Sequence, residues 1–263
     1  MSTERKPGAG DRQVQIARTI MERGKVTVAD LAAEFGVTST SIRRDLSVLE
    51  AAGSLRRIHG GAVVHSLDSS PRGYLDRFRL HLAEKEHIGR AAVGMIEAGD
   101  LLLFDTGTTT LQVVRNMPPH LKSGAVLSIV TNSVQIAEEV SGWKAPNLVL
   151  LGGLYLPDYM ATVGPQALLQ LHNLMADKVF FGADGFTLAE GATSADVLLA
   201  ELNQKMTEHA RKVILLLDSS KIGRSGFVPI VRVDQIHTLI TDTRAPADVV
   251  QAVRDHGVEV VQV

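Results

Sequence analysis

The sequence predicts an α/β protein, a mostly parallel sheet with helices on both faces, preceded by a small helical N-terminal domain. Three observations predict it. From residue 100 onward, short apolar runs alternate with stretches of helical apolar spacing, which implies parallel strands joined by crossover helices. Residues 11–53 carry three apolar stripes of helical period punctuated by glycine, the pattern of short helices in close succession. The charge also divides, since residues 1–60 sum to +3 and the remainder to −5, a basic head on an acidic body.

At 263 residues the length favours one small and one large domain. No window approaches the roughly 20 apolar residues that span a bilayer, so no membrane association is expected. The polar N-terminus has no apolar stretch of signal-peptide type, so a cytoplasmic location is expected. Zero cysteines remove disulfides, thiolate metal sites and cysteine nucleophiles. Of the nine histidines, His81 and His87, like His59 and His65, stand six apart, not at the i, i+4 spacing that shares a helix face. No metal and no cofactor are expected.

Val14, Ala17 and Met21, with Ile16 and Ile20, predict a helix over Asp11 to Arg23 that Gly24 stops. Thr27 and Asp30 form a capping-box pair for a two-turn second helix with Leu31, Ala32 and Phe35 inward and Gly36 at its end. Thr38 caps a third helix in which Ile42, Leu46 and Leu49 share one face up to Gly53. Two helices around a glycine turn make a helix-turn-helix. The opposite face of the third helix presents Thr40, Arg44 and Ser47, flanked by Ser41 and Arg43, with Thr38 and Ser39 at its start. Short hydroxyls let a helix enter the major groove, and arginine can bond guanine in bidentate fashion. A solvated helix face is the ordinary alternative. The segment that follows, LRRI, HGG and AVV over 55–64, reads as a β-hairpin wing. It would place Arg56, Arg57 and His59 against the phosphate backbone or minor groove.

SIRRDL at 41–46, LEAAG at 49–53 and LRRIHGGA at 55–62 together resemble the DeoR family of repressors. Thr38 and Ser41 stand where the family usually has Ser and Thr, swaps that keep each hydroxyl. The resemblance implies a winged helix-turn-helix binding a double-stranded DNA operator. The turn-rich stretch His65 to Arg72 marks a boundary, giving a DNA-binding domain over 11–66, a linker over 67–83 and a larger domain over 84–263. Arg77, Glu84 and Lys85 match positions where the family tends to carry Arg and Glu-Lys, although a solvated, self-paired helix explains such charges equally well.

Ligands of parallel sheets bind beyond the C-terminal strand ends. The residues that follow the apolar runs at 101–104, 126–130, 148–151, 179–182 and 213–217 are polar or glycine-rich. Asp105, Gly107, Thr108, Thr109 and Thr110 open a helix whose free N–H groups and hydroxyls could surround a phosphate. Thr131 and Asn132, Gly152 and Gly153, Ala183-Asp184-Gly185, and Asp218 to Lys221 follow the other runs. Five polar loops on one sheet edge form a candidate site.

The body also resembles the effector domain of the same family, which has a ribose-5-phosphate-isomerase-like fold and senses phosphorylated sugars or similar metabolites. That resemblance implies Asp105 to Thr110 at the phosphate, Asp184 and Lys221 near the sugar, and Gly152-Gly153 at the pocket floor, where a plain tight turn is the competing reading. An isomerase fused to a DNA-binding head is the alternative. It needs a second acid soon after Gly-Ala-Asp and then a lysine, whereas this chain has Gly185-Phe186-Thr187 and then Gly191-Ala192-Thr193. A regulator without catalytic activity is therefore expected. The small +3 charge of the head gives one copy few phosphate contacts, so a homodimer or homotetramer is expected.

Overall fold

The computed structural model describes residues 9–23, 25–51, 55–58, 60–64, 73–123 and 126–263. The chain divides into two compact units, residues 1–70 with 195–198 and residues 71–194 with 199–263.

The first unit begins with α1 (Ala9–Arg23), β1 (Lys25–Thr27), α2 (Val28–Phe35) and α3 (Ser39–Ala51), and ends with β2 (Leu55–Ile58) and β3 (Gly61–Val64). Thr27 caps α2 by accepting the Asp30 N–H at 3.1 Å, and Gly36 ends it at φ 61°, where only glycine is unstrained. Ile16, Ala17 and Ile20 of α1, Leu31 of α2 and Ile42, Leu46 and Leu49 of α3 are buried. The buried stripe of α1 thus runs through Ile16 and Ile20, with Val14 at its margin. The wing holds three strands, not two, in the order β1-β3-β2. A Cβ at Gly61 would lie 2.1 Å from the Val26 carbonyl oxygen, so glycine is what lets β1 and β3 approach.

In the second unit, α4 (Tyr74–Arg79) and α5 (Leu82–Val93) precede β4 (Leu101–Phe104) and α6 (Thr108–Asn116). Next come β5 (Ser128–Thr131), α7 (Val134–Ser141), β6 (Asn147–Leu150), β7 (Leu154–Leu156), β8 (Ala161–Val163) and α8 (Pro165–Leu171). β9 (Ala176–Phe181), β10 (Gly185–Thr187), β11 (Gly191–Ser194), α9 (Val197–Glu208) and β12 (Ala210–Leu217) follow. The chain then forms β13 (Val228–Val231), β14 (Thr238–Thr241), α10 (Ala247–Asp255) and β15 (Glu259–Gln262).

Seven strands form a parallel sheet in the order β15-β14-β12-β9-β4-β5-β6. Leu102, Phe104, Ile129, Phe180, Ile214, Leu216 and Ile240 share one core with Ile88 of α5, Leu111 and Val114 of α6 and Ile136 of α7. Phe104 and Phe180 stack there at 5.2 Å. Their neighbours Leu103, Val130, Val179, Phe181 and Leu215 point the other way and are equally buried, as are Ala167, Leu202 and Val253 of α8, α9 and α10. Both faces are thus covered, and each such enclosed side chain contributes roughly 1.5–3 kcal/mol. The α/β class is as the sequence predicts.

Two expectations change. The stretch expected to be linker contains α4, whose Tyr74 is buried in the body core, because an aromatic one turn from Phe78 gives the short helix an apolar face. The rest of that boundary, 65–72, lies outside the described residues. Glu84 and Lys85 are not self-paired on a solvated face. Lys85 is buried, and Glu84 pairs with Arg244.

Candidate DNA-binding and effector sites

In the head, Ser39, Thr40, Arg43, Arg44 and Ser47 are exposed on α3, opposite the buried Ile42, Leu46 and Leu49. Ser41 is half-buried, and its hydroxyl lies 3.0 Å from that of Thr38. Thr38 also accepts the Ser41 N–H at 3.2 Å, so its oxygen caps the helix as expected. Arg57 of β2 donates from Nη1 to Ser47 Oγ at 2.6 Å, and its backbone N–H donates to Glu50 at 2.8 Å. The wing strand is thereby tied to α3, with an arginine beside the exposed hydroxyl row. His59 and the side chain of Arg56 lie outside the described residues.

Asp45, the acid of SIRRDL, is absent from the expected contact set and has another part. It is buried, accepting from Arg12 Nε at 2.7 Å and from Gln13 Nε2 at 2.8 Å. One carboxylate therefore holds α1 to α3, and one of the basic residues of the head faces inward. Its only signal in the sequence was an acid on the side of α3 next to the buried Ile42 and Leu46.

In the body, the parallel sheet brings the expected loops to one edge. Asp105 follows β4, Thr131 ends β5 with Asn132 next, Asp184 lies past β9, and Asp218 follows β12. Asp105 is 3% exposed. Its Oδ1 accepts the Gly107 N–H at 2.8 Å and the Thr110 hydroxyl at 2.8 Å, and its Oδ2 accepts the Gly182 N–H at 2.9 Å. Burial pushes its pKa up to about 6, against these donors and the Asn203 side chain, which lower it. Asp105 thus shapes the loop from within by accepting the amides of Gly107 and Gly182, which need a partner there, and Thr110 donates to the same carboxylate. A Cβ at Gly107 would lie 2.9 Å from both Asp105 Oδ1 and Thr110 Oγ1, so only glycine leaves that bridge intact.

Thr108 is half-buried and Thr109 buried at the start of α6. Thr131 Oγ1 accepts the Ser133 N–H at 3.0 Å. Asn132 donates to the Thr162 carbonyl at 3.0 Å, while its buried Oδ1 has no hydrogen-bond partner among the described residues. Asp184 is half-buried and accepts from Ser194 at 3.3 Å. Gly152 and Gly153 are exposed. Gln170 of α8 bonds both the N–H and the carbonyl of Gly152, and a Cβ at Gly153 would meet the Val163 carbonyl oxygen at 2.4 Å. These glycines make the tight turn into β7, which is the competing reading of the pair.

A cationic group stands at the same edge. Lys85, 5% exposed, donates to the carbonyls of Arg77 and Leu80. Burial pushes its pKa down to about 8, with Asp218 opposing and Lys221 and Arg77 reinforcing. Lys221, expected near the sugar, is half-buried in the turn after β12. The Asp218 side chain holds that turn by accepting the Ser220 N–H at 3.1 Å. Asp242, past β14, accepts the Ser219 N–H at 2.6 Å and Arg244 Nε at 3.3 Å. Arg77 donates to the Asp158 carbonyl at 2.7 Å and lies over the Tyr159 ring at 4.4 Å. Thr106 donates to the Tyr159 carbonyl at 2.6 Å, so the tip of the β7–β8 hairpin is held beside the Asp105 loop.

A family profile for the DeoR C terminal sensor domain matches residues 80–243, and one for the DeoR-like helix-turn-helix domain matches 12–67. The chain belongs to the DeoR family. Among its relatives, the putative aga operon transcriptional repressor of Escherichia coli O157:H7 is 33% identical, covering 99% of this chain and 96% of its own. The HTH-type transcriptional regulator GlpR of Haloferax volcanii is 32% identical over 95% and 96%. Ribose 5-phosphate isomerase A of Methanocaldococcus jannaschii shares 16% identity over 52% of this chain and 53% of that one, with a TM-score of 0.39, and decides nothing about activity. Membership in the DeoR family makes the chain a DNA-binding transcriptional regulator, with the head as its DNA-binding part. Among the described residues, no helix of this DeoR-family chain is long and apolar enough to cross a membrane.

Proposed function

We propose that the chain represses a carbohydrate-metabolism operon in the cytoplasm and is controlled by a phosphorylated sugar held at the C-terminal edge of the large sheet. In this reading 11–66 is the DNA-binding domain, and the effector domain includes α4 (Tyr74–Arg79) and runs to 263, so that the connection ends before α4. Ser39, Thr40, Arg43, Arg44, Arg56, Arg57 and His59 meet the operator. The names of relatives, including an aga operon repressor, support the sugar-operon part.

One observation carries the effector site. The start of α6, with Gly107 as its N-cap and no side chain capping it, lies on the same sheet edge as Lys85 and Lys221. A helix start and two ammonium groups suit an anion. The half-buried Thr108, Thr109, the free Oδ1 of Asn132 and Asp184 suit the hydroxyls of a sugar. The loss of an acid and a lysine expected of an isomerase favours sensing over turnover. The modest charge of one head favours a homodimer or homotetramer on repeated half-sites.

A thermal-shift panel of sugar phosphates and their unphosphorylated parents tests this. A ligand that binds only the folded state raises the melting temperature. A shift with one phosphorylated sugar and none with its parent is expected, because donors built around a charge are left unpaired without it. Gly107→Val should abolish that shift and keep operator binding. Equal shifts for wild type and Gly107→Val would place the effector elsewhere.

A further inference from the structure

β6 ends the seven-stranded sheet with no charge or proline within the strand itself, Pro146 standing just before it. It pairs with β5 on one side, from Ser128–Asn147 to Thr131–Leu150, and among the described residues no strand lies on its other side. An edge strand offers unpaired N–H and C=O groups, and proteins that stay monomeric blunt it with charge, proline or a bulge. Residues 147–156, NLVLLGGLYL, contain neither a charge nor a proline. The other edge, β15, carries the exposed carboxylate of Glu259.

The apolar surface is concentrated at the same place. Nine large hydrophobic side chains are exposed among the described residues, and four fall within seven consecutive positions: Val149 (44% exposed), Leu150 (42%), Leu154 (38%) and Tyr155 (43%). Scattered singly, exposed apolar residues need no explanation; gathered along an open edge, they mark a contact.

We infer that β6 joins two copies of this chain, antiparallel about a two-fold axis, so that their sheets become one. This rests on the oligomeric reading above and names the surface that makes the oligomer. An isologous contact must be complementary to itself. One strand paired antiparallel with its own copy meets that condition, and an uncharged segment puts no like charges opposite each other. The four side chains offer on the order of 300 Å² of apolar surface, against about 800 Å² per partner in a standard interface. The paired backbone and α8, whose Leu169 is exposed and whose Gln170 grips Gly152, extend the contact.

The chain has no cysteine, so single cysteines can map the contact. Facing residues of antiparallel strands are about 4.5–5.5 Å apart between Cα atoms, within disulfide range. About a two-fold axis, one residue faces its own copy. In a scan of Asn147→Cys, Leu148→Cys, Val149→Cys and Leu150→Cys, at least one variant should cross-link into a covalent dimer under mild oxidation, and Leu188→Cys should not. By light scattering, Val149→Asp should have half the mass of the wild type, with an unchanged circular dichroism spectrum. A monomeric wild type would overturn the oligomeric reading and this inference together. An oligomer whose mass survives Val149→Asp, with no cross-link in the scan, would overturn the β6 contact alone.

Discussion

Asp105→Asn removes the charge of a fully enclosed carboxylate and keeps its shape, and its effect on stability should depend on pH. Burial raises the folded-state pKa of Asp105 from 3.8 to about 6. For an acid shifted upward, the folded chain binds the proton more tightly than the unfolded one. The associated stability is complete below the unfolded pKa and is lost as pH rises toward 6. A shift of that size corresponds to about 3 kcal/mol, of which about 2 kcal/mol is lost between pH 4.5 and 7. Asparagine has no such dependence. Its oxygen can keep the Gly107 and Thr110 bonds, but its Nδ2 then faces the Gly182 N–H, and that lost bond to a charged acceptor costs about 1.5–3 kcal/mol. Asn203, whose Oδ1 has no hydrogen-bond partner among the described residues, can turn its amide to accept from the new group. At pH 7 the lost bond and the relieved charge offset each other to within about 1 kcal/mol, whereas at pH 4.5 the variant should be about 2 kcal/mol less stable than wild type. Urea unfolding at both pH values measures this, and Trp143, the one tryptophan of the chain, reports the body. A stability difference that is the same at pH 4.5 and 7 would refute the raised pKa and the inward role of the carboxylate.

Two predictions concern the head. Arg44 is exposed opposite the buried face of α3, so Arg44→Ala should weaken operator binding by about 1–3 kcal/mol if its guanidinium reads a base; unchanged gel-shift affinity in a folded variant would remove it from the interface. Asp45→Ala leaves the Arg12 guanidinium without its buried partner, and should destabilise the head by about 3 kcal/mol. Denaturant titration of the isolated variant against wild type measures that loss, and a midpoint that does not move would show that the α1–α3 tie carries no weight.

What could be read from the sequence was local. The caps Thr27 and Gly36 and the strand at 101–104 depend on neighbours within a few residues, and the structure keeps them where pattern and turn chemistry place them. β1 went unread because its three residues are a strand only through pairing with β3, from Lys25–Val63 to Thr27–Gly61. β13 is likewise defined by its distant partner β11, whereas β7 with β8 and β10 with β11 are local hairpins of three- and four-residue strands, too short for an alternating pattern to show. The same division runs through the candidate site. Strand-end loops are legible because parallel strands must share an edge, so Asp105, Asn132, Asp184 and Lys221 could be assigned to one side. Whether each side chain faces outward or inward was not legible. Asp105 turns inward to the Gly182 amide, 77 positions away, and Lys85 turns inward to the carbonyls that end α4.

The threonine loop shows the same division between position and orientation. Asp105-Thr106-Gly107-Thr108-Thr109-Thr110 looks like a row of equivalent anion ligands, yet the amides of Gly107 and Gly182 need an acceptor, which Asp105 supplies, and the Thr110 hydroxyl is spent donating to that same carboxylate. Thr106 is engaged in turn by the Tyr159 carbonyl. In the proposed reading the outward function then falls to what remains, the half-buried Thr108, the buried Thr109 and the backbone at the start of α6, with the positive charge that the loop itself lacks standing on Lys85 and Lys221 across the edge.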